Sequence, residues 1–482
     1  MTIGEKIEKL YAAEKPKNKY FGTDGFRGEA GINLTSMHAY KIGRFLGWYY
    51  SSPLSGCEKA GYRPRIVVGK DTRRSSYMLE YSVAAGLTAS GADVYMLHVT
   101  TTPSVSYVTR QDEFDCGIMI TASHNPFYDN GIKVINRYGE KLDDDTTALI
   151  EAYLDGDMKT LGISGDDLPL GQREKIGCIV DYASGRNRYV AYLISLASHS
   201  YKNLRIGLDC ANGASWMIAK AVFSALGAQV EVIGAEPDGL NVNSACGSTH
   251  MEKLCRLVRE RHLDVGFAFD GDADRCIAVD ENGSVVDGDK MLYILARRLK
   301  ARGMLKNDTV VATVMSNSGF VASLEKAGMK CVQTTVGDRF VYECMQENDY
   351  ALGGEQSGHI ILKKYATTGD GILTAIMLTE EICDSKTALS ELAEPVMLYP
   401  QYTRNIKVKD KNAVSCDSAV LVAVKDVEKR INKKGRALLR KSGTEPVVRI
   451  MVESETEEKC AEYADIIAEI IKERGYCTDD TG

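Results

Sequence analysis

Residues 205–233 read RIGLDCANGASWMIAKAVFSALGAQVEVI. Arg205-Ile206-Gly207-Leu208-Asp209 predicts a short strand, and Ile218–Leu226 carries helical spacing. Gly227 stands where that helix must stop, and Gln229-Val230-Glu231-Val232-Ile233 predicts a second strand. The same order occurs twice more. Arg65-Ile66-Val67-Val68-Gly69 precedes a helical stretch to Ser90-Gly91 and a strand from Ala92-Asp93-Val94-Tyr95. Thr309-Val310-Val311-Ala312 precedes a helix over Phe320–Ala327, then Gly328 and Lys330-Cys331-Val332-Gln333. Three strand–helix–strand units spaced this widely predict three similar α/β domains, not a short-period solenoid.

The end of the chain departs from that pattern. Ala437-Leu438-Leu439-Arg440 and Val447-Val448-Arg449-Ile450-Met451-Val452 predict strands flanking a polar loop. Glu455–Arg474 predicts an amphipathic helix with Ser454 or Thr456 as its cap. Together they imply a smaller fourth domain of a different kind, and the residues beyond Gly475 are expected to be disordered. The expected boundaries are 1–180, 181–284, 285–396 and 397–482. A chain of 482 residues is too long for one core, which agrees with several domains.

Bulk composition narrows the partners. Apolar residues make up 44% and charged residues 26%, as in an ordinary soluble protein. A net charge of −7 argues against a nucleic-acid or anionic-membrane partner, so any phosphate site must be a local concentration of Arg and Lys. The 13 cysteines are odd in number and contain no CxxC pair, which suits reduced thiols. The first residues, MTIGEKIEKLYAAEKPKNKY, lack the apolar core of a signal peptide, and no apolar run approaches the roughly 20 residues that span a bilayer. A cytoplasmic protein is expected.

Four loops carry chemistry. Asp270-Gly271-Asp272-Ala273-Asp274-Arg275 places three carboxylates at alternate positions beside a guanidinium, an oxygen-only site for a hard cation such as Mg²⁺ or Ca²⁺. An EF-hand would need Gly where Arg275 stands and a helix where Asp264-Val265-Gly266-Phe267-Ala268-Phe269 predicts a strand. Cys116-Gly117-Ile118-Met119-Ile120 predicts a buried strand ending in Thr121-Ala122-Ser123-His124-Asn125-Pro126, where small neighbours leave the Ser123 hydroxyl open. No Ser-His-Asp triad is evident, and a serine that carries a phosphoryl group near a cation fits better.

Gly353-Gly354-Glu355-Gln356-Ser357-Gly358-His359 combines close backbone approach with acceptors and donors that suit a sugar. Arg440-Lys441-Ser442-Gly443-Thr444-Glu445-Pro446, with Arg449 downstream, reads as a phosphate cradle without Walker A spacing. Each loop alone also reads as a polar turn. In order, one in each expected domain, they imply a cleft for a sugar phosphate. A further Arg, Arg27, lies in Tyr20-Phe21-Gly22-Thr23-Asp24-Gly25-Phe26-Arg27-Gly28.

The order and spacing of these loops resemble the α-D-phosphohexomutases from about Tyr20 to about Arg474. FGTDGFRG at 21–28, PDGLNVNSACGSTH at 237–250, MSNSG at 315–319 and TTVGDRFV at 334–341 look most like the branch acting on glucosamine phosphates. Thr121 departs from that branch, which more usually carries serine there. The chain also has extra residues before Tyr20 and around Ser51–Tyr62.

The resemblance implies a four-domain α/β architecture, three similar domains with mixed sheets and a smaller C-terminal α+β domain, around a central cleft. It implies that Ser123 is phosphorylated and that Mg²⁺ is held by a phosphoserine oxygen with Asp270, Asp272 and Asp274. Glu355, Ser357 and His359 would bind sugar hydroxyls, and Arg440, Ser442, Gly443, Thr444 and Arg449 the non-reacting phosphate. Arg27, His124, Lys133 and Arg275 would surround the reacting phosphoryl group, with Lys133 or His124 as general acid–base. The expected reaction interconverts glucosamine 6-phosphate and glucosamine 1-phosphate through a 1,6-bisphosphate and feeds amino-sugar nucleotide synthesis. The rivals are glucose or mannose phosphate mutase activity, a sugar-phosphate phosphatase, and a non-catalytic sensor. The expected partner is a small sugar phosphate, and the expected state is a monomer or homodimer.

Overall fold

The computed structural model describes residues 19–57, 61–432, 434–441 and 446–478. Residues 19–314 with 332–393 form one compact unit, and 315–331 with 394–478 belong to another. The three repeated units fold as predicted. Strands Arg65–Lys70 and Asp93–Val99 flank helix Arg74–Ala89, strands Arg205–Asp209 and Gln229–Ile233 flank helix Ile218–Ala225, and strands Thr309–Thr313 and Lys330–Thr334 flank helix Ser318–Lys326. Gly91, Gly227 and Gly328 all take positive φ (91°, 96° and 70°), the left-handed turn that ends each helix.

The first sheet has seven strands, in the order Phe21–Gly22, Gly25–Glu29, Asp129–Asn136, Cys116–Ile120, Arg65–Lys70, Asp93–Val99 and Ile179–Asp181. The second has five, in the order Val285–Val286, Cys276–Asp280, Val265–Phe269, Arg205–Asp209 and Gln229–Ile233. The third runs Lys330–Thr334, Thr309–Thr313, Leu352–Gly354 and Ile360–Leu362.

All three sheets share a device that the strand–helix–strand repeat does not reveal. A strand pairs in parallel with the first strand of its unit, and the chain then reverses into an antiparallel neighbour. Cys116–Ile120 turns into Asp129–Asn136, Val265–Phe269 into Cys276–Asp280, and Leu352–Gly354 into Ile360–Leu362. The serine, carboxylate and sugar loops are these three reversals. Parallel strands buried on both faces are near-continuous apolar runs, so polar side chains collect at the strand end, where ligands bind in such sheets.

In the second compact unit, Gln401–Lys407, Val447–Glu453 and Arg436–Lys441 form a three-stranded antiparallel sheet with Val447–Glu453 in the centre. Helices Ser418–Ile431 and Glu457–Glu473 pack on it around a core that includes Val420, Val427, Val448, Ile450, Val452, Ile467 and Ile471. Thr456 supplies the predicted cap of the last helix, accepting from the Lys459 N–H.

Helix Ser318–Lys326 also belongs to this unit. The N–H and hydroxyl of Ser318 both donate to Glu453, and Arg436 donates to Glu453 and to the Ser316 carbonyl. The expected disorder after Gly475 is corrected at 476–478. Cys477 bridges to Val408, and the Tyr476 hydroxyl donates to Asp417 at 2.8 Å. Partners for those backbone and hydroxyl groups fix the segment, although its sequence carries no periodic pattern.

Candidate active site

Ser123 sits in the first reversal with φ +52°, a left-handed value uncommon for a residue with a side chain. Its N–H donates to Thr121 Oγ1 at 2.9 Å, and that hydroxyl donates to Asp71 Oδ2 at 2.8 Å. Position 121 therefore uses a hydroxyl, which serine and threonine share. The Ser123 hydroxyl is not open as expected: the residue is 1% exposed, because Oγ donates to Asp270 Oδ2 at 2.6 Å. Gly271 permits that approach, since a Cβ there would lie 2.5 Å from the Ser123 carbonyl oxygen. His124 Nδ1 lies farther from Oγ, at 3.4 Å. Burial, then Arg275 and Arg27, lower the His124 pKa to about 4, so its ring is neutral near pH 7.

Ligand atoms of Asp270, Asp272 and Asp274 lie within 4.8 Å of one another, and all three side chains are buried. Among the described residues, this is the cluster able to hold a metal ion. Burial and the neighbouring acids raise the Asp270 pKa, while burial and Asp274 raise that of Asp272. Burial pushes Asp274 the same way, but Lys133 and His359 outweigh it and hold that carboxyl low. The Lys133 ammonium stands 2.8 Å from Asp272 Oδ2 and 2.9 Å from Asp274 Oδ2, and Thr102 Oγ1 donates to Asp272 Oδ2 at 2.5 Å. Asp272 Oδ1 is buried with no hydrogen-bond donor. Three crowded carboxylates with an oxygen left unserved fit a hard divalent cation.

A chain of alternating charges extends from this cluster. Lys133 reaches Asp24 at 3.2 Å, Asp24 also meets Arg27 and Lys141, and Lys141 meets Asp338 at 2.7 Å. His359 lies 3.3 Å from Asp338 and 3.6 Å from Asp274. Burial opposes a charge on that ring, but Asp338 and Asp274 push its pKa up to about 9. Against this, the Gly369 N–H points at His359 Nε2 from 2.9 Å and favours the neutral ring. The two flanking carboxylates outweigh that contact, so the ring is charged near pH 7.

Glu355 accepts from the Gly337 N–H at 3.1 Å, and burial followed by Asp338 raises its pKa. Ser357 is exposed on the same loop. Ser123, His124, Lys133, Arg27, Arg275, the three Asp residues, Glu355 and His359 are therefore joined by the contacts and electrostatic couplings described. Sequence reasoning gave no role to Asp24, Lys141, Asp338 or Thr102. Asp24 and Asp338 lie in FGTDGFRG and TTVGDRFV, where an acid next to a glycine is the available signal.

In the other compact unit, Arg440 and Arg449 are directly opposed across neighbouring antiparallel strands. Like charges so placed repel unless an anion lies between them. Ser442, Gly443 and Thr444 of the expected phosphate loop lie outside the described residues.

Comparison with known proteins agrees with this architecture. Models of the phosphoglucomutase/phosphomannomutase family match α/β/α domain I at residues 18–160, domain II at 187–283, domain III at 287–399 and the C-terminal domain at 404–470. The chain is 57% identical over 458 residues to a phosphoglucosamine mutase of Lachnospira eligens, covering 95% of this chain and 99% of the relative. It is 46% identical over 454 residues to a phosphoglucosamine mutase of Bacillus subtilis, covering 94% and 98%. Among solved structures, a phosphoglucomutase/phosphomannomutase family protein from Burkholderia thailandensis superposes with TM-score 0.76 at 22% identity, covering 95% of this chain and 97% of the other. The Aspergillus fumigatus N-acetylphosphoglucosamine mutase, in complex with GlcNAc-6P and magnesium, gives 0.67 at 16% identity, covering 98% and 99%. With all four domain models matched in order, the chain belongs to the phosphoglucomutase/phosphomannomutase family.

Proposed function

We propose that this chain is a phosphoglucosamine mutase that interconverts glucosamine 6-phosphate and glucosamine 1-phosphate through a phosphorylated Ser123 and a 1,6-bisphosphate. The observation that carries the reading is Ser123 Oγ lying 2.6 Å from the first of three clustered carboxylates. The near full-length phosphoglucosamine mutase relatives support the amino-sugar assignment. The domain division 1–180, 181–284, 285–396 and 397–482 is part of the same proposal, as are a cytoplasmic location and a monomeric or homodimeric state. No helix among the described residues is long and apolar enough to cross a membrane.

Asp270, Asp272 and Asp274, with a phosphoserine oxygen, would hold Mg²⁺. Bound there, the ion neutralises charge on the transferring phosphoryl group. Before the dephosphorylated Ser123 can take up a phosphoryl group, its Oγ has to give up the proton that it shares with Asp270. Arg27 and Arg275 then face the phosphoryl oxygens as guanidinium forks. Lys133 and neutral His124 are the proton carriers within reach of the reacting oxygens. His124 already lies beside Oγ, whereas Lys133 is engaged by three carboxylates. Glu355, Ser357 and His359 are proposed to bind sugar hydroxyls, and the C-terminal loop with Arg440 and Arg449 the distal phosphate. Because the sugar must bind in two orientations, that grip has to accept either phosphate, which flexible Arg forks tolerate.

A substrate panel tests the reading. Initial rates with the 6- and 1-phosphates of glucosamine, glucose and mannose give kcat/KM for each. The highest value is expected for glucosamine phosphates. A higher value for glucose or mannose phosphates moves the chain to another activity of its family, and release of inorganic phosphate at the rate of isomerisation makes it a phosphatase.

A further inference from the structure

The strained Ser123 turn is held from outside by side chains that the proposed chemistry does not use. Arg73 follows strand Arg65–Lys70 and is fully buried. Its Nε donates to Asp71 Oδ2 at 2.8 Å, and Asp71 is pinned in turn by Ser76 Oγ and Thr121 Oγ1. That pairing aims the rest of the guanidinium at the serine loop. Nη2 donates to the carbonyls of Ser123 and Asn125, each at 2.9 Å, while Nη1 donates to those of Pro126 and Asp129.

A second donor comes from the other side, in the second α/β domain. Asn243 Nδ2 donates to the same two carbonyls, Ser123 at 2.8 Å and Asn125 at 3.1 Å. Its own N–H is anchored on the Ala211 carbonyl at 2.9 Å, just beyond strand Arg205–Asp209. Gly271 of the carboxylate loop closes a third side of the Ser123 carbonyl. One backbone oxygen thus gathers the turn after strand Arg65–Lys70 of domain I, a loop of domain II and the metal loop.

We propose that Arg73 and Asn243 are positioning residues that clamp the Ser123 and Asn125 carbonyls, fixing the serine oxygen against the carboxylate cluster across the boundary between the first two domains. The role rests on the reading of Ser123 as the phosphoryl carrier. A clamp of this kind acts on rate, because a misplacement of about 1 Å costs about a hundredfold in transfer while leaving binding of the sugar phosphate intact.

The test follows phosphoryl uptake by dephosphorylated full-length protein mixed with glucose 1,6-bisphosphate, read by intact mass and peptide mapping, beside steady-state kinetics and thermal unfolding. Asn243→Gly suits it, since glycine adopts the φ of +57° found at Asn243 without strain and removes the side-chain donor. Arg73→Lys keeps a cation beside Asp71 but loses the fork. Uptake in both variants is expected to slow by about tenfold to a hundredfold, with kcat falling in step and KM within about twofold. Uptake at the wild-type rate in folded Asn243→Gly overturns the clamp, as does a loss of rate that only tracks the fraction unfolded. Wild-type labelling at a residue other than Ser123 sinks the functional reading, and the clamp with it.

Discussion

Ser123 Oγ and Asp270 Oδ2, 147 positions apart in the chain, share a hydrogen bond of 2.6 Å. This bond joins the two loops whose chemistry the sequence suggests separately, and it sets the serine hydroxyl directly against the carboxylate cluster. Ser123→Ala should therefore remove turnover by at least about a thousandfold, the scale seen when a covalent nucleophile is deleted. The fold should survive, since only one buried oxygen is lost. Near-normal isomerisation by a purified Ser123→Ala variant, checked for contaminating mutase, would end the phosphoserine mechanism.

Asp272 gives activity and metal-free stability opposite signs. Its pKa is raised by burial and by Asp274, so ionising it is unfavourable in the metal-free fold. Asp272→Asn should leave the chelated protein as stable or slightly more stable, yet cut activity by about a hundredfold or more through loss of a cation ligand. Thermal unfolding with and without Mg²⁺ checks both signs. Wild type should gain melting temperature with added Mg²⁺, and the variant should gain little. An unchanged Mg²⁺ increment in Asp272→Asn counts against this residue as a ligand.

Much of this was readable because local rules decide it. The strands Arg205–Asp209, Gln229–Ile233 and Cys116–Ile120 coincide with apolar runs, and the helix-ending glycines take the conformation their positions imply. What stayed hidden is pairing at a distance. Lys141 and Asp338 lie 197 positions apart, Thr102 and Asp272 170, and Asn243 and Ser123 120. No periodicity links such residues, because separate strand–helix–strand units meet only after each has folded. The burial of Ser123 was missed for the same reason: its small neighbours predict openness, but the lid on it belongs to another domain.

Asp370 should impose a pH slope on stability. It caps helix Gly371–Ser385, accepts from the Tyr189 hydroxyl at 2.8 Å, and has its pKa pushed up to about 6 by burial, from an ordinary 3.8. A raised folded pKa means that the folded protein holds this proton more tightly than the unfolded chain. Its contribution is therefore full below about pH 4 and is lost as pH rises through 6, by at most about 3 kcal/mol. Asp370→Asn keeps the cap acceptor and cannot titrate. In urea unfolding between pH 4 and 7, the wild type should lose stability relative to this variant as pH rises. Parallel profiles refute the assignment.

Arg440 tests the distal phosphate grip within the C-terminal unit. Its cross-strand partner in register is Arg449, so the two strands bring two cations to the same level of the sheet. Arg440→Gln removes one of these two cations. Stability without ligand should change by no more than a few tenths of a kcal/mol, the scale of a cross-strand charge pair. KM for the sugar phosphate should rise by about tenfold to a hundredfold, as expected for losing a charge-assisted fork. Inorganic phosphate should raise the wild-type melting temperature more than that of Arg440→Gln. If instead Arg440→Gln lowers stability while KM stays put, the two arginines are structural and the distal phosphate is held elsewhere.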